Sequence, residues 1–287
     1  MMDVTFDAAA FKAGTRMQWD KSAAGWDGHT AMIRQWLAVA TGAMLDMAAI
    51  RDGSHVLDVA AGSGDQTLEI ATRIGPSGRV LATDLSPAIL DLAARNLARA
   101  GLANFATRVM DAEELDVESR SYDAAISRLG VMLCPDPGAA LFGMLEALKS
   151  GGRAATLVFS TPQANPCVAT LMSVALKHAG LPPADPFRPG SLFSLGKPGL
   201  IDDLFRKAGF ADVATTVISA PFSVASTADY LGFIRTSASP VLQILAGLDG
   251  NRQAAAWTEM DEALDRFGGE NGWTGPNELL LTCATRP

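Results

Sequence analysis

The chain has 287 residues, and 23 lysine and arginine residues against 31 aspartate and glutamate residues give it a formal net charge of −8. Apolar residues make up 48% and charged residues 19%, which allows one large core and disfavours disorder. An acidic chain with no basic run longer than two residues lacks the charge pattern of proteins that bind nucleic acid or anionic membranes. Neither partner is therefore expected.

The longest apolar runs fall far short of the roughly 20 residues that cross a bilayer. The first residues of the chain lack the pattern of a secretory signal, so a cytoplasmic location is expected. No metal site is expected, because the cysteines and histidines are widely separated along the chain. They are Cys134, Cys167 and Cys283, and His29, His55 and His178.

Residues 1–50 are predicted to be helical and to form an N-terminal lid. From residue 55 to about 160, short apolar runs alternate with helical patterns, as in βα units on a parallel sheet. A helix is expected near 137–149, with a turn at 150–152. The predicted strands of this part are 55–60, 79–83, 106–110, 122–127 and 153–159.

Beyond residue 160, proline-rich and aromatic sequence interrupts the alternation and indicates a cap insertion at about 161–198. A helix near 199–208 and strands near 213–219 and 278–284 resume the pattern, and 221–275 is a second, largely helical insertion. The predicted fold class is α/β, with a seven-stranded, mostly parallel, Rossmann-like sheet covered by helices on both faces. Residues 51–287 are expected to form one domain beneath the lid.

Acidic and glycine residues mark the ends of the first three predicted strands. Gly62 and Gly64 lie between the first strand and a helix, where a backbone approaches a polar or anionic ligand closely. Asp84 ends the second strand and is suited to accept hydrogen bonds from a ribose diol, and Asp111 ends the third and can accept from an adenine amino group. Each feature can alternatively be an ordinary turn or helix cap. Their joint order predicts a nucleotide-type site.

The sequence around these residues resembles class I S-adenosylmethionine-dependent methyltransferases, and is similar to the small-molecule enzymes of ubiquinone and menaquinone biosynthesis. The resemblance covers about half of the chain in family order. The matching runs are 56–65, 82–86, 110–115, 121–127 and 148–153.

The resemblance implies S-adenosylmethionine as the cofactor. It implies that the turn from Gly62 to Gly64 holds the methionine portion, that Asp84 holds the ribose, and that Asp111 holds the adenine. Asp58 would orient the turn or reach the methionine amino group through water. The full predicted set is Trp26, Asp58, Ala60, Gly62, Ser63, Gly64, Asp84, Leu85, Asp111, Ala112, Ser127 and Arg128, with the last two beside the sulfonium.

Two departures from the family pattern are evident. Ala60 replaces the usual first glycine of the turn, and its methyl group is expected to narrow the pocket slightly without abolishing binding. The long segment between the last two strands, where simpler members have a hairpin, is a candidate substrate cap. A nicotinamide dinucleotide is the weaker alternative, because Thr67 occupies the position of the third glycine in its fingerprint.

Methyl transfer from a sulfonium needs an in-line arrangement in a dry pocket and, for many acceptors, removal of a proton. His29 is the candidate general base, and its alternative is an ordinary residue at a helix start. His55 is at the wrong end of its strand. The loop after the fourth strand has no histidine, so the proton can also go to water or to an unidentified carboxylate.

Aromatic residues of the two insertions predict an apolar pocket wall and hence a hydrophobic or aromatic acceptor, although aromatics at helical spacing are more often core. Arg235 is predicted to bind a substrate carboxylate or to lie at a helix C-terminus. The candidate substrate residues are His178, Phe187, Phe193, Tyr230, Phe233 and Arg235.

The leading hypothesis is an enzyme that transfers a methyl group to an oxygen, nitrogen or carbon atom of a small molecule. One alternative is a protein that binds the cofactor without transfer, and another is an enzyme that uses the sulfonium in a rearrangement or elimination. A homodimer is a further expectation.

Overall fold

The computed structural model describes residues 7–237 and 239–287, so the first six residues of the predicted lid lie outside the described part. Ten helices are found there. They are α1 (Ala8–Gly28), α2 (Thr30–Met47), α3 (Asp65–Arg73), α4 (Pro87–Arg99), α5 (Pro137–Ala147), α6 (Pro166–His178), α7 (Leu200–Ala208), α8 (Thr227–Ser237), α9 (Ser239–Leu245) and α10 (Gly250–Leu264). None of the described helices is long and apolar enough to cross a bilayer.

The strands form one large sheet and one small sheet. They are β1 (His55–Val59), β2 (Arg79–Asp84), β3 (Phe105–Val109), β4 (Tyr122–Arg128), β5 (Leu148–Phe159), β6 (Ala211–Ser219), β7 (Phe222–Val224), β8 (Gly268–Gly269), β9 (Gly272–Gly275) and β10 (Glu278–Thr285). The large sheet has the order β3-β2-β1-β4-β5-β10-β6, in which β10 is antiparallel to both of its neighbours. The prediction of a seven-stranded, mostly parallel α/β sheet is confirmed.

Strand order reverses between β1 and β4, and a parallel sheet opens a ligand crevice at the carboxyl ends of the strands at such a point. Helices α3 and α4 begin at this edge. The Ser86 hydroxyl accepts from the backbone N–H of Ile89 at 3.2 Å, and Pro87 occupies the first turn of α4, as the sequence predicts. The same edge therefore holds the ends of β1 and β2 and the starts of two helices.

Two local predictions differ from the structure. Strand β5 begins at Leu148, so residues 150–152, predicted as a turn, lie within an irregular strand whose register with β4 shifts. Gly151 adopts a φ of +76°, and Gly151 and Gly152 exchange backbone hydrogen bonds with Arg286. The segment is therefore held by the end of the chain, a contact that no local pattern reveals.

The small sheet, with the order β7-β9-β8, lies in a region predicted to be largely helical. Its strands have two to four residues, too few to show the alternation that marks a strand. It is held by the buried Trp273, whose indole N–H donates to the Leu264 carbonyl at 2.8 Å.

The two N-terminal helices differ in how they join the core. Helix α2 buries Ile33, Leu37 and Met44 in the main hydrophobic cluster, whereas the buried residues of α1 are only Ser22 and Ala23. Helix α1 therefore lies over the domain, while α2 forms part of it.

Candidate functional site

The turn after β1 approaches its neighbours closely. Gly64 adopts a φ of +82°, and a Cβ there would lie 2.8 Å from the Cβ of Ala93, so only glycine lets α4 come so near. Ala60 also has a positive φ, of +56°, which costs an L residue about 1 kcal/mol. A Cβ on Gly130 would lie 2.5 Å from the Ala60 Cβ. The methyl group of Ala60 fits because residue 130 is glycine.

Asp84 fixes the shape of this turn. Its carboxylate accepts hydrogen bonds from the backbone N–H groups of Gly62 and Ser86, both at 3.0 Å. Burial raises the pKa of Asp84, and the hydrogen bonds from Ser86 and Gly62 oppose that shift. Each carboxylate oxygen keeps a further lone pair. Asp84 can therefore hold the turn and accept from a ligand as well.

Asp111 and Glu113 contact the N-terminal helix. The Lys12 ammonium lies 2.7 Å from Asp111 Oδ2 and 2.6 Å from Glu113 Oε2. Burial lowers the pKa of Lys12, but its bonds to the two carboxylates outweigh burial and leave that pKa raised. The other oxygen of Asp111 accepts from the Glu113 N–H at 2.9 Å. Helix α1 is thus tied to the end of β3 by a charged cluster.

Asp58 lies fully buried beneath the turn. Its carboxylate accepts from the Thr67 hydroxyl at 2.6 Å and from the Gln66 amide. Burial raises the pKa of Asp58 to about 6, although both hydrogen bonds oppose the shift. Asp58 therefore orients the start of α3, and Thr67, which stands where a dinucleotide fingerprint has glycine, is its partner.

Charged side chains surround the first residue of α3. Asp65 is paired with Arg128, at 2.7 Å, and with Arg34, at 3.0 Å. Arg128 also donates to the Thr41 hydroxyl at 2.8 Å. These bonds fix the guanidinium of Arg128 beside the glycine turn, so the site contains a second cation, besides Lys12, among its carboxylates.

One cavity, which we call the turn cavity, lies at this edge of the sheet and has an empty volume of about 1050 Å³. Asp58, Gly64 and Ser127 do not line it. The Ser127 hydroxyl is buried and has no hydrogen-bond partner in the described part of the chain. The predicted cofactor residues that do line it are Trp26, Ala60, Gly62, Ser63, Asp84, Leu85, Asp111, Ala112 and Arg128.

Several lining residues were not predicted. Asp65 and Gln66 directly follow the glycine turn, and Glu113 lies two residues after Asp111, so nearness to the motifs could have indicated them. Phe11, Lys12 and Thr15 carry no such signal, because they reach the cavity only through the docking of α1.

The two histidine candidates do not line the turn cavity. His29 lies at the junction of α1 and α2, where its Nδ1 bonds the Gly25 carbonyl at 2.8 Å and its ring centroid lies 5.4 Å from that of Phe233. His178 Nε2 bonds Glu259 at 2.9 Å, between α6 and α10. Both imidazoles are held by other contacts, so this arrangement does not support His29 as the general base.

Four of the predicted substrate residues are aromatic, and none lines the turn cavity. Tyr230 stacks on Trp273 with centroids 4.4 Å apart, and Phe233 stacks on Phe222 at 5.2 Å. Phe193 is buried in the main cluster.

The remaining two candidates of the insertions form cation–π contacts. The ring of Phe187 lies beneath the Lys197 ammonium, and the Arg235 guanidinium lies 4.2 Å from the centroid of Trp257. The aromatic pattern of the insertions thus describes core and stacking contacts, which was the alternative interpretation.

The described lining of the turn cavity offers no free general base. It contains no histidine, and its carboxylates, Asp65, Asp84, Asp111 and Glu113, are each ion-paired or hydrogen-bonded. Burial raises the pKa of the Cys134 thiol to about 12, so that thiol stays protonated. The arrangement can bind and orient a ligand more readily than it can remove a proton.

Comparison with known proteins agrees with this geometry. Residues 56–152 match the family model described as a methyltransferase domain. Over 119 residues the chain is 35% identical to the ubiquinone/menaquinone biosynthesis C-methyltransferase UbiE of Idiomarina loihiensis, a match that covers 41% of this chain and 47% of the relative. The chain thus spans about half the length of the curated relatives it matches.

Solved structures share the fold. The YcgJ protein of Bacillus subtilis aligns with a TM-score of 0.59 and 18% identity, over 87% of this chain and 99% of that one. Phosphoethanolamine N-methyltransferase 2 of Haemonchus contortus, solved in complex with S-adenosyl-L-methionine, aligns with a TM-score of 0.56 and 17% identity, over 91% and 57%.

In sheet order and in residues 56–152, which match a methyltransferase domain, the chain resembles class I S-adenosylmethionine-dependent methyltransferases. Within this class it resembles the UbiE type.

Proposed function

We propose that the chain binds S-adenosylmethionine in the turn cavity and transfers its methyl group to a nucleophilic atom of a hydrophobic or aromatic small molecule. One observation carries the proposal: the glycine turn, Asp84 and Asp111, which follow three consecutive parallel strands, line a single cavity. Because these groups lie at one sheet edge in family order, they are suited to bind successive parts of one extended ligand.

The residues present fit this cofactor. Carboxylates of Asp84 and Asp111 can accept from ribose hydroxyls and an adenine amino group, and the Arg128 guanidinium can pair with a carboxylate beside the turn. The methionine portion of the cofactor would lie against the glycine turn. When bound, the cofactor supplies an electrophilic methyl group on a sulfonium.

The chain's own contribution is positioning and exclusion of water. Trp26, Ile33 and Leu37 line the turn cavity on the side of α1 and α2 and cover it with apolar surface. A dry, fixed geometry favours in-line displacement, for which alignment supplies much of the rate. Because the described lining contains no histidine, the proposed acceptor atom is one that is nucleophilic without help from an imidazole base. The name of the UbiE relative favours carbon as the methylated atom.

Because the described lining of the turn cavity offers no free general base, two alternatives stay open. One is binding of the cofactor without methyl transfer, and the other is a rearrangement assisted by the sulfonium. Mass spectrometry of acceptor mixtures separates them. A product heavier by about 14 mass units, one methylene, identifies transfer. A changed product of equal mass identifies a rearrangement, and unchanged acceptors indicate binding alone.

The first test of the proposal is the substitution Asp84→Ala. It removes the predicted ribose acceptor and the partner of the Gly62 N–H, so the affinity for S-adenosylmethionine should fall at least about tenfold, as expected for a lost charged hydrogen bond. Calorimetric titration with the cofactor, its demethylated product and a nicotinamide dinucleotide measures this directly.

The matched control is Asp123→Ala. Asp123 bonds the His55 N–H at the opposite edge of the sheet, so its loss should leave cofactor affinity unchanged. Equal affinity of wild type and Asp84→Ala, or binding of the dinucleotide alone, contradicts the proposal.

A small-molecule acceptor, a cytoplasmic location, a homodimer and the absence of nucleic-acid partners complete the proposal. They rest on the sequence.

A further inference from the structure

A second cavity adjoins the turn cavity along α1. It has an empty volume of about 700 Å³ and lies between α1, α6, α9 and the loop before α7. We call it the Arg188 cavity. Its apolar lining includes Met172, Leu192 and Ile244, and it shares Phe11, Thr15, Trp19 and Leu133 with the turn cavity.

The shared residues form a boundary rather than a thick wall. Phe11, Thr15 and Trp19 recur every four residues, which places them on one face of α1. Both cavities reach these side chains, so a single layer separates them. Thr15 has the smallest side chain of the three, so the layer between the cavities has its least side-chain bulk there.

Arg188 is the one charged residue in the described lining of the Arg188 cavity. Its guanidinium makes no ion pair or hydrogen bond with any described side chain. Arg188 is exposed, and the rest of this lining is neutral and mostly apolar. In a chain with a formal charge of −8, a cation without a partner among the described side chains is suited to an anionic group of a ligand.

The loop that carries Arg188 is built against α1. Gly190 adopts a φ of +74°, and a Cβ there would lie 2.5 Å from the Phe11 ring, so the loop backbone rests on this ring. The Ser191 hydroxyl donates to the Pro186 carbonyl at 2.5 Å, and the Ser191 N–H bonds the Arg188 carbonyl at 3.1 Å. These contacts fix the backbone around Arg188.

We infer that the Arg188 cavity is the acceptor site and that the acceptor is an apolar, ring-sized molecule with an anionic group, which pairs with Arg188. The reacting atom lies at the Thr15 boundary and faces the turn cavity. This inference rests on the proposed function, and it replaces Arg235, whose guanidinium is stacked on Trp257, as the cation that recognises the acceptor.

A matched pair of probes tests the inference: 2-naphthoate, which is apolar and anionic, and 2-naphthamide, which has nearly the same shape without the charge. Each is titrated by calorimetry into full-length protein saturated with S-adenosylhomocysteine. Arg188→Met should lower the affinity for naphthoate about tenfold, as expected for loss of a charge-assisted hydrogen bond. The affinity for naphthamide should change less than about twofold.

Arg235→Met is the control, because Arg235 is also an exposed arginine but lines neither cavity. A second variant, Met172→Trp, fills the Arg188 cavity from a residue that does not itself line the turn cavity. It should weaken both probes at least about tenfold and leave the affinity for S-adenosylhomocysteine unchanged.

Three results overturn the inference: failure of naphthoate to bind, equal affinity for wild type and Arg188→Met, or equal losses in Arg188→Met and Arg235→Met. Binding of S-adenosylhomocysteine, measured in the same samples, keeps the two proposals apart. If it binds and naphthoate does not, the acceptor site alone is wrong. If it does not bind, the proposed function fails.

Discussion

At the scale of single residues, Asp58 shows how burial at the sheet edge changes the pKa of a carboxylate. It is fully buried below the turn, with Arg128 and Asp84 as the charged groups that act on it. Burial raises its pKa from an ordinary 3.8 to about 6, against the hydrogen bonds from Thr67 and Gln66. The ionised carboxylate is therefore a cost to the fold near neutral pH.

The sign of the resulting pH dependence follows from linkage. Between pH 4 and pH 6 the folded chain binds more protons at Asp58 than the unfolded chain does, so the free energy of unfolding falls as the pH rises through this range. Asp58→Asn cannot ionise. Between pH 4.5 and 7.5, wild type should lose about 2 kcal/mol more than this variant, measured by urea unfolding.

Asp91→Asn serves as the control, since Asp91 is exposed on α4 and should leave the wild-type slope intact. Asp84 is present in all three proteins, so its contribution to the pH dependence of unfolding largely cancels when they are compared. Parallel stability curves for wild type and Asp58→Asn would show that Asp58 is not the titrating group.

The sequence predicts site residues best where they follow a strand. Gly62, Asp84 and Asp111 could be placed together because parallel strands end at one edge, and all three line the turn cavity. Lys12 could not be placed, because its partner Asp111 lies about a hundred residues away and the contact depends on how α1 docks.

At the scale of elements, α1 is fastened at both ends. Near its C-terminus the Trp26 indole donates to the Ser237 carbonyl at 3.0 Å, and a Cβ on Gly25 would lie 2.1 Å from the Thr236 carbonyl oxygen. Near its N-terminus it is held by the Lys12 cluster. Between these points it forms the boundary of both cavities.

Lys12→Met should loosen the first half of α1 and leave the second half unchanged. Partly exposed ion pairs contribute up to about 1 kcal/mol each, so amide hydrogen exchange over residues 8–20 should accelerate about three- to fivefold. Exchange mass spectrometry checks this, and high salt should reproduce part of the effect in wild type.

Lys21→Met is the matched control, because Lys21 is an exposed lysine of the same helix outside the cluster. Equal acceleration in both variants, or none in Lys12→Met, would mean that the ion pairs do not hold the helix.

The sequence pattern identified the aromatic face of α8, but it did not show whether this face contacts a ligand or the protein core. Tyr230 and Phe233 were predicted as an acceptor wall because they are aromatic, yet both are buried against Phe222 and Trp273. A helical pattern shows which side chains share a face, and only the tertiary packing decides whether this face meets a ligand or the core.

For the whole molecule, the sequence predicted the sheet because each βα unit is a local pattern, repeated along the chain. The small sheet and the positions of the two cavities depend on contacts between distant segments, such as α1 with the loop around Gly190. The functional interpretation therefore depends on one long-range arrangement, the position of α1 over an otherwise complete domain.

Two truncations test whether α1 covers the domain while α2 forms part of it. Removing residues 1–28 deletes α1, whose buried residues are only Ser22 and Ala23, so the remaining chain should still unfold cooperatively in thermal circular dichroism. It should bind S-adenosylhomocysteine more weakly, because one wall of the turn cavity is gone.

Removing residues 1–47 also deletes α2, which buries Ile33, Leu37 and Met44 and donates from Trp36 to the Ala220 carbonyl at 2.7 Å. Each fully buried apolar side chain contributes about 1.5–3 kcal/mol, so the loss approaches the whole stability of a typical domain, about 5–15 kcal/mol. This chain should show no cooperative transition. If both truncated chains unfold cooperatively at similar temperatures, α2 belongs with the lid, and the boundary at residue 50 that the sequence predicts is the correct one.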